Sequence, residues 1–392
     1  MRVLALNWRD PDHPEAGGAE VHLSEILSRW VQRGAEVTWI ASSFPGAAPE
    51  VQVRGLRVLR RGSWWNANWA AAREVRALER QAPFDLLVED VNKIPYFTPL
   101  YAKAPTLAVV PHLFGTTVFA ETSWPMALVV WAHEAFLPAL YGRVPFLVIS
   151  ESTRVDLERR GIAARRIVVS HCGIDHSRYS PGGSKSETPS VVYVGRLRRY
   201  KGVDALLEAF ARLRPEFPEA TLSILGDGPH RPALQERAAR LGLGDRVEFT
   251  GYLPAEEKVH RLRAAWVSAL SSPKEGWGLT VIESNACGTP VIASRSPGLV
   301  DSVRDGETGL LVPHGDVAAL VSALRRMWTD APLRERLAGG GLRWAQRFSW
   351  DRAADEAWQV ARAVVERRDL PPAFTHADEA GSEDSGLARE TA

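Results

Sequence analysis

Cysteine is almost missing from this chain of 392 residues: Cys172 and Cys287 are the only two. They stand far apart with no metal-binding or redox spacing, which excludes a disulfide scaffold and points to a reducing, cytosolic setting. Uninterrupted apolar runs of about 18 residues are missing too, so no segment is expected to span a membrane. The opening "MRVLALNWRD" turns charged after a short apolar run and reads as a first strand, not a secretion signal. Charge of one sign is also lacking. The 48 Lys and Arg against 47 Asp and Glu leave a net charge of +1, which argues against a general nucleic-acid binder. Lysine is scarce beside arginine, so each lysine, Lys201 among them, is conspicuous. What is present is ordinary for a globular protein of two domains, with 45% hydrophobic and 24% charged residues.

Short apolar runs alternate with helical patterns along the first half. "RVLALNW", "EVTWIAS", "FDLLVED", "PTLAVVPH", "FLVIS" and "RIVVSHCG" read as strands, with helices between most of them. Such alternation predicts a parallel sheet covered on both faces. "SPGGSKSETP", around Ser180 to Pro189, gathers Pro, Gly and Ser and reads as a linker. The alternation then resumes through "SVVYVGR", "TLSILGDG", "RVEFTGYL", "WVSALSS" and "PVIAS". The expected fold class is α/β, with two doubly wound domains at residues 1–180 and 181–348. Residues 316–368 read as three helices, the last from about Ser349, and the acidic stretch 370–392 has too little to bury and is expected to be disordered.

Open parallel sheets bind ligands beyond the carboxyl ends of their strands, so chemistry is expected just after strands. Gly17 and Gly18 follow the first strand and precede a helix, where backbone can approach a ligand, although taken alone the pair reads first as a plain tight turn. Asp10 and Asp12 in "DPD" read as a solvated turn in preference to a metal pair. His112 follows the strand "PTLAVVPH", which sets it apart from His133 in an apolar helix. "VVYVGRLRRYKG" places Arg196 and Lys201 after a strand, with Gly195 removing bulk; two cations suit a diphosphate, and a solvated basic loop is the alternative. Gly226, Asp227 and Gly228 form a loop after another strand. In "KEGWGLTVIESNACGTPVIAS", Thr280 and Glu283 have the spacing of a capping box at a helix start. That accounts for Glu283 but not for Glu275, Gly276 or Gly278. Two carboxylates there can accept hydroxyl hydrogens from a sugar and a ribose.

The ordered set of Glu275 and Glu283 in E-x7-E spacing after "GRLRRYKG", with "EAGGAE", "GDGP", "GYLP" and "DGETGLLVPHGD", resembles retaining glycosyltransferases of family 4 over nearly the whole chain. The resemblance implies the GT-B fold: two Rossmann-like domains facing across a cleft, with the last helix crossing back to the first domain. It implies a nucleotide-diphosphate sugar, UDP- or GDP-linked, as donor, a hydroxyl as acceptor, and no metal or other cofactor. Arg196 and Lys201 are implied to neutralise the diphosphate, Glu283 to grip the ribose and Glu275 to face the sugar. Backbone N–H groups of Gly276, Trp277, Gly278 and Leu279 are implied nearby. Gly17 and Gly18 close on the diphosphate, His112 contacts the sugar and Leu253 lines the base pocket.

For the acceptor, "WPMALVVWAHEAFLPALYGRVPF" reads first as a buried helix. A second reading, shared with Trp64, Trp65 and Trp69 beside Arg60 and Arg61, is an apolar surface for a membrane or a lipid-linked or cell-envelope acceptor. The chain is then expected in the cytoplasm, at the inner face of a membrane. Rival functions are a glycoside hydrolase using Glu275 and Glu283, a nucleotide-sugar epimerase, and a sugar-nucleotide-binding subunit. The first has no use for the cations.

Overall fold

The computed structural model describes residues 1–92, 94–120 and 122–374. The first sheet contains β1 (Arg2–Leu6), β2 (Glu36–Ala41), β3 (Glu50–Val53), β4 (Leu56–Arg60), β5 (Leu86–Asp90), β6 (Thr106–Val110), β7 (Phe146–Val148) and β8 (Ile167–Val169). Their order is β3-β4-β2-β1-β5-β6-β7-β8. The second contains β9 (Ser190–Val194), β10 (Thr221–Leu225), β11 (Val247–Gly251), β12 (Val267–Leu270), β13 (Val291–Ser294) and β14 (Gly309–Val312), in the order β11-β10-β9-β12-β13-β14. All pairings are parallel except β3 with β4. Helices cover both faces, which is why β1, β5 and β12 are buried almost throughout, including Glu89 and Asp90 at the end of β5.

The first-domain helices are α1 (Gly18–Gln32), α2 (Ala67–Gln81), α3 (Trp124–Tyr141) and α4 (Glu151–Arg159). In the second domain α5 (Val203–Leu213), α6 (Arg231–Arg240), α7 (Ala255–Ala264), α8 (Leu279–Ala286), α9 (Leu299–Ser302), α10 (Val317–Thr329) and α11 (Ala331–Ala345) follow the strands. Finally α12 (Trp350–Val365) returns to the first domain. Ser349 caps it, its hydroxyl accepting from the Arg352 N–H. Its small buried residues, Ala354, Ala357 and Ala361, join the core of the first sheet and let α1 approach closely. Trp30 Nε1 on α1 donates to the Ala354 carbonyl at 3.1 Å.

Several expectations are corrected here. The hairpin β3–β4 was not anticipated: it turns through Arg54 and Gly55, both at positive φ, and an arginine gives no signal for that turn. Asp10 is not solvated but fully buried, held by Arg60 at 2.8 Å, with Asp12 on the same guanidinium at 3.3 Å. The start of the 370–392 tail is ordered to residue 374: Leu370 and Phe374 pack on the first core, and the Phe374 N–H donates to Val169. The rest of the tail lies outside the described residues. Helix α3 is not a buried core helix. It buries only the stripe Ala127, Val130, Glu134, Leu137 and Tyr141, leaving Trp124, Leu128, Trp131 and Phe136 exposed.

Candidate functional site

In the second sheet, the chain leaves β9 toward β10 on one side, and β12 lies on the other. The crossovers diverge there and open a crevice beyond the carboxyl ends of β9 and β12. Arg196 and Lys201 follow β9; Glu275 follows β12. The Ser271 hydroxyl ties the two loops, donating to the carbonyls of Lys201 and Gly202. Lys201 Nζ lies 2.5 Å from Glu275 Oε1. Burial by itself would raise the Glu275 carboxyl, but the Lys201 ammonium holds it below the ordinary carboxylate range. For Lys201, burial works downward and Glu275 outweighs it, so the ammonium stays charged.

The capping-box assignment is corrected. Helix α8 begins at Leu279 with Gly278 as its N-cap at φ +84°, a left-handed conformation suited to glycine. The helix therefore starts too early for Thr280 to be its N-cap or for Glu283 to reach back. Glu283 instead meets Lys258 of α7 at 2.6 Å, and Lys258 also donates to the Tyr179 hydroxyl at 3.0 Å. Burial pushes the Tyr179 phenol up to about 12, so it stays a neutral partner. No hydrogen bond among the described residues uses the N–H groups of Gly276, Trp277, Gly278 or Leu279, which leaves the positive end of α8 open. The Trp277 ring itself is core, 4.3 Å from His171 and 5.2 Å from Phe348 between ring centroids.

The first domain closes over this crevice. The Arg196 guanidinium lies 3.6 Å from where a Cβ on Gly17 would sit, and Leu279 3.5 Å from the same point on Gly18. A Cβ on Gly276 would come within 2.9 Å of the Pro111 carbonyl, so only glycine permits that approach between the domains. His112, the next residue, has its pKa pushed down to about 4 by burial, aided by Lys274; it is neutral at pH 7. Lys274 is itself paired with Asp156 of α4 at 3.1 Å. Gly195, Gly226 and Leu253 reach the cleft wall. Asp227 and Gly228 do not line it: Asp227 is drawn to Arg231 at 2.8 Å, and Gly228 packs on the Leu197 backbone.

The cleft holds about 2720 Å³. Eleven Lys and Arg side chains line it against five Glu, an excess of six positive charges in a chain whose net charge is +1. Sequence reasoning missed Lys258, Tyr179 and Lys274. The scarcity of lysine was the one signal for Lys258 and Lys274, since three of the chain's six lysines sit in this cleft; Tyr179 had none. Among the described residues no cluster of three or more His, Cys, Asp or Glu has metal-holding geometry.

Residues 16–178 match the family described as Glycosyltransferase Family 4, and residues 180–344 match Glycosyl transferases group 1. The chain is 34% identical to the D-inositol 3-phosphate glycosyltransferase of Thermobifida fusca, covering 91% of each protein. It is 31% identical to the protein of the same name from Nocardia farcinica, over 88% of this chain and 84% of that one. Sucrose-phosphate synthase from Thermosynechococcus elongatus superposes with a TM-score of 0.81 at 23% identity, covering 94% of this chain and 100% of that one. HepE of Anabaena, solved with UDP-glucose, superposes with 0.75 at 19%, covering 93% and 100%. These structures carry the fold: two Rossmann-like domains in the GT-B arrangement.

Proposed function

Because the chain belongs to glycosyltransferase family 4, we propose that it moves a hexosyl unit from a UDP- or GDP-sugar to an acceptor hydroxyl, with retention of anomeric configuration. The observation that carries this is the pairing of each glutamate with its own lysine: Glu275 with Lys201 and Glu283 with Lys258. A hydrolase would need one carboxyl to stay protonated as general acid, whereas Glu275 is held below the ordinary range by Lys201. A lysine ammonium has three protons, so Lys201 can keep Glu275 and still meet a diphosphate oxygen. Arg196 supplies a second cation beside the Gly17 backbone.

In the proposed reaction the bond from the anomeric carbon to the diphosphate oxygen breaks, and the acceptor oxygen bonds to that carbon on the same face. The acceptor proton passes to a departing phosphate oxygen. Negative charge grows on the leaving group, and fixed cations aimed there favour the transition state over the ground state. Neutral His112 offers the sugar a hydrogen bond without adding charge. Lysine and arginine provide the positive charge, so this reading calls for no metal and no cofactor. Relatives named for D-inositol 3-phosphate support an acceptor that carries both phosphate and hydroxyl groups. The same reading places the enzyme in the cytoplasm, at the inner face of a membrane.

A thermal-shift screen of UDP-, GDP- and ADP-sugars tests the donor. One UDP- or GDP-sugar is expected to raise the melting temperature of the wild type, and the Glu283→Ala variant is expected to lose most of that shift. A flat response to every nucleotide sugar sinks the donor assignment. Incubation without acceptor separates an epimerase, which would convert the donor alone.

A further inference from the structure

The cleft carries more positive charge than its donor half uses. On the second-domain side Lys201, Lys258 and Lys274 are each tied to a carboxylate, and the proposed diphosphate site uses Lys201 with Arg196. On the first-domain side α2 presents Arg73, Arg76 and Arg80 at i, i+3 and i+7, on one exposed face. No carboxylate among the described residues pairs with any of the three. All three line the cleft, and the Arg76 guanidinium stands 5.4 Å from the Tyr101 ring.

Beside this cationic row stand Trp64, Trp65 and Trp69, which are 71%, 71% and 83% exposed. Across the opening, α3 is apolar on every side yet buries one stripe only. Met126 and Val129 of α3 line the cleft, while Trp124, Leu128, Trp131 and Phe136 face outward. The segment between α2 and α3 joins the two walls: Tyr101 lies under Arg76, and the Phe97 ring is 5.5 Å from His133 on α3. Indoles, aliphatic side chains and unpaired guanidinium groups thus form one rim around the first-domain end of the cleft. Among the described residues no helix is long and apolar enough to cross a membrane, so this surface can rest on a bilayer but not span it.

We propose that this rim docks on an anionic bilayer, and that the acceptor is a membrane lipid whose headgroup carries a phosphate beside the accepting hydroxyl. Tryptophan rings settle at the boundary between headgroups and acyl chains, and arginines just above that boundary meet the phosphates. The cleft mouth then opens onto the headgroup layer. The unpaired α2 arginines select an anionic headgroup at the end of the cleft away from the donor cations. The acceptor assignment rests on the transferase reading; the docking does not.

The full chain is sedimented with vesicles of phosphatidylglycerol in phosphatidylcholine and with vesicles of phosphatidylcholine alone. Retention on the anionic vesicles is expected to exceed that on the neutral ones about tenfold and to fall as salt rises. Lipids brominated on their acyl chains are expected to quench tryptophan fluorescence. The variant Trp64→Ser/Trp65→Ser/Trp69→Ser, altered only at exposed positions, loses most of the retention and the quenching, yet keeps its thermal shift with nucleotide sugar. Arg73→Glu/Arg76→Glu/Arg80→Glu loses the preference for anionic vesicles. Equal retention on both vesicle types, or tryptophans that are not quenched, overturns the docking. Sugar transfer to inositol phosphate in solution but not to phosphate-bearing lipid in vesicles overturns the lipid acceptor and leaves the transferase standing. Docking without transfer from any nucleotide sugar overturns the acceptor assignment together with the transferase reading, while the docking stands.

Discussion

On the second-domain side of the cleft each functional lysine is matched to a carboxylate, whereas on the first-domain side three arginines stand unmatched beside solvent-facing tryptophans. The difference follows from burial. A charge removed from water must find an opposite charge and further hydrogen bonds, or it destabilises the fold. Lys201 and Glu275 are largely buried and satisfy each other before any ligand arrives. The exposed arginines of α2 stay hydrated and need no partner. One half therefore holds its charges in place before any ligand arrives, while the other is an open surface whose charges stay hydrated until a partner covers it.

That contrast can be broken most sharply at Lys201. Lys201→Ala removes a cation from the leaving group and should lower turnover about 10²–10³-fold. It also strands the Glu275 carboxylate, so the melting temperature should fall, by an amount equivalent to roughly 3–5 kcal/mol. Lys201→Ala/Glu275→Gln is expected to recover much of the melting temperature but none of the turnover. If both recover together, Lys201 is a structural residue only. The first-domain half should behave in the opposite way. Trp69→Ser is expected to leave stability within about 0.5 kcal/mol of the wild type while raising the acceptor KM severalfold. A large loss of stability there would show that the indole packs where it is described as exposed.

The smallest effect concerns His22 and His112, whose pKa values burial pushes from 6.5 down to about 4. A basic group depressed in this way takes up its proton on unfolding between pH 6.5 and 4. Stability is thus complete above 6.5 and declines as pH falls toward 4. The denaturant midpoint at pH 5 should lie below that at pH 7. His22→Leu should shrink the difference, since both ring nitrogens of His22 are buried without a partner. His22 also faces Trp350 of α12 at 6.2 Å between ring centroids, so acid should weaken the seam between α1 and α12.

The alternation of strands and helices was legible because parallel sheets buried on both faces leave unbroken apolar runs. Arg196, Lys201 and Glu275 were legible for a related reason, as they lie just past the ends of such runs. Lys258 was not. It sits in "AEEKVHRLRA", an ordinary helix with charges on its outer side, and only folding carries it to Glu283. Arg73, Arg76 and Arg80 likewise pass for a solvated helix face until the aromatic wall across the opening is known. The text of α3 misled in the other direction, because an apolar sequence without periodicity does not say which stripe is covered. The capping signal at Thr280 failed because Gly278, two residues earlier, already supplies the turn that starts α8.

The return of α12 to the first domain has a mechanical consequence. The chain crosses between the domains twice, once after β8 and once before α12, and the two crossings lie side by side. A Cβ on Gly173 would fall 2.1 Å from the Trp350 nitrogen, and His176 Nε2 is 2.8 Å from the Phe348 carbonyl. Two strands fastened along one line act as a door hinge: they permit swing about that line and resist sliding or twist. Gly17 of the first domain and Arg196 of the second are thereby kept in register across the cleft.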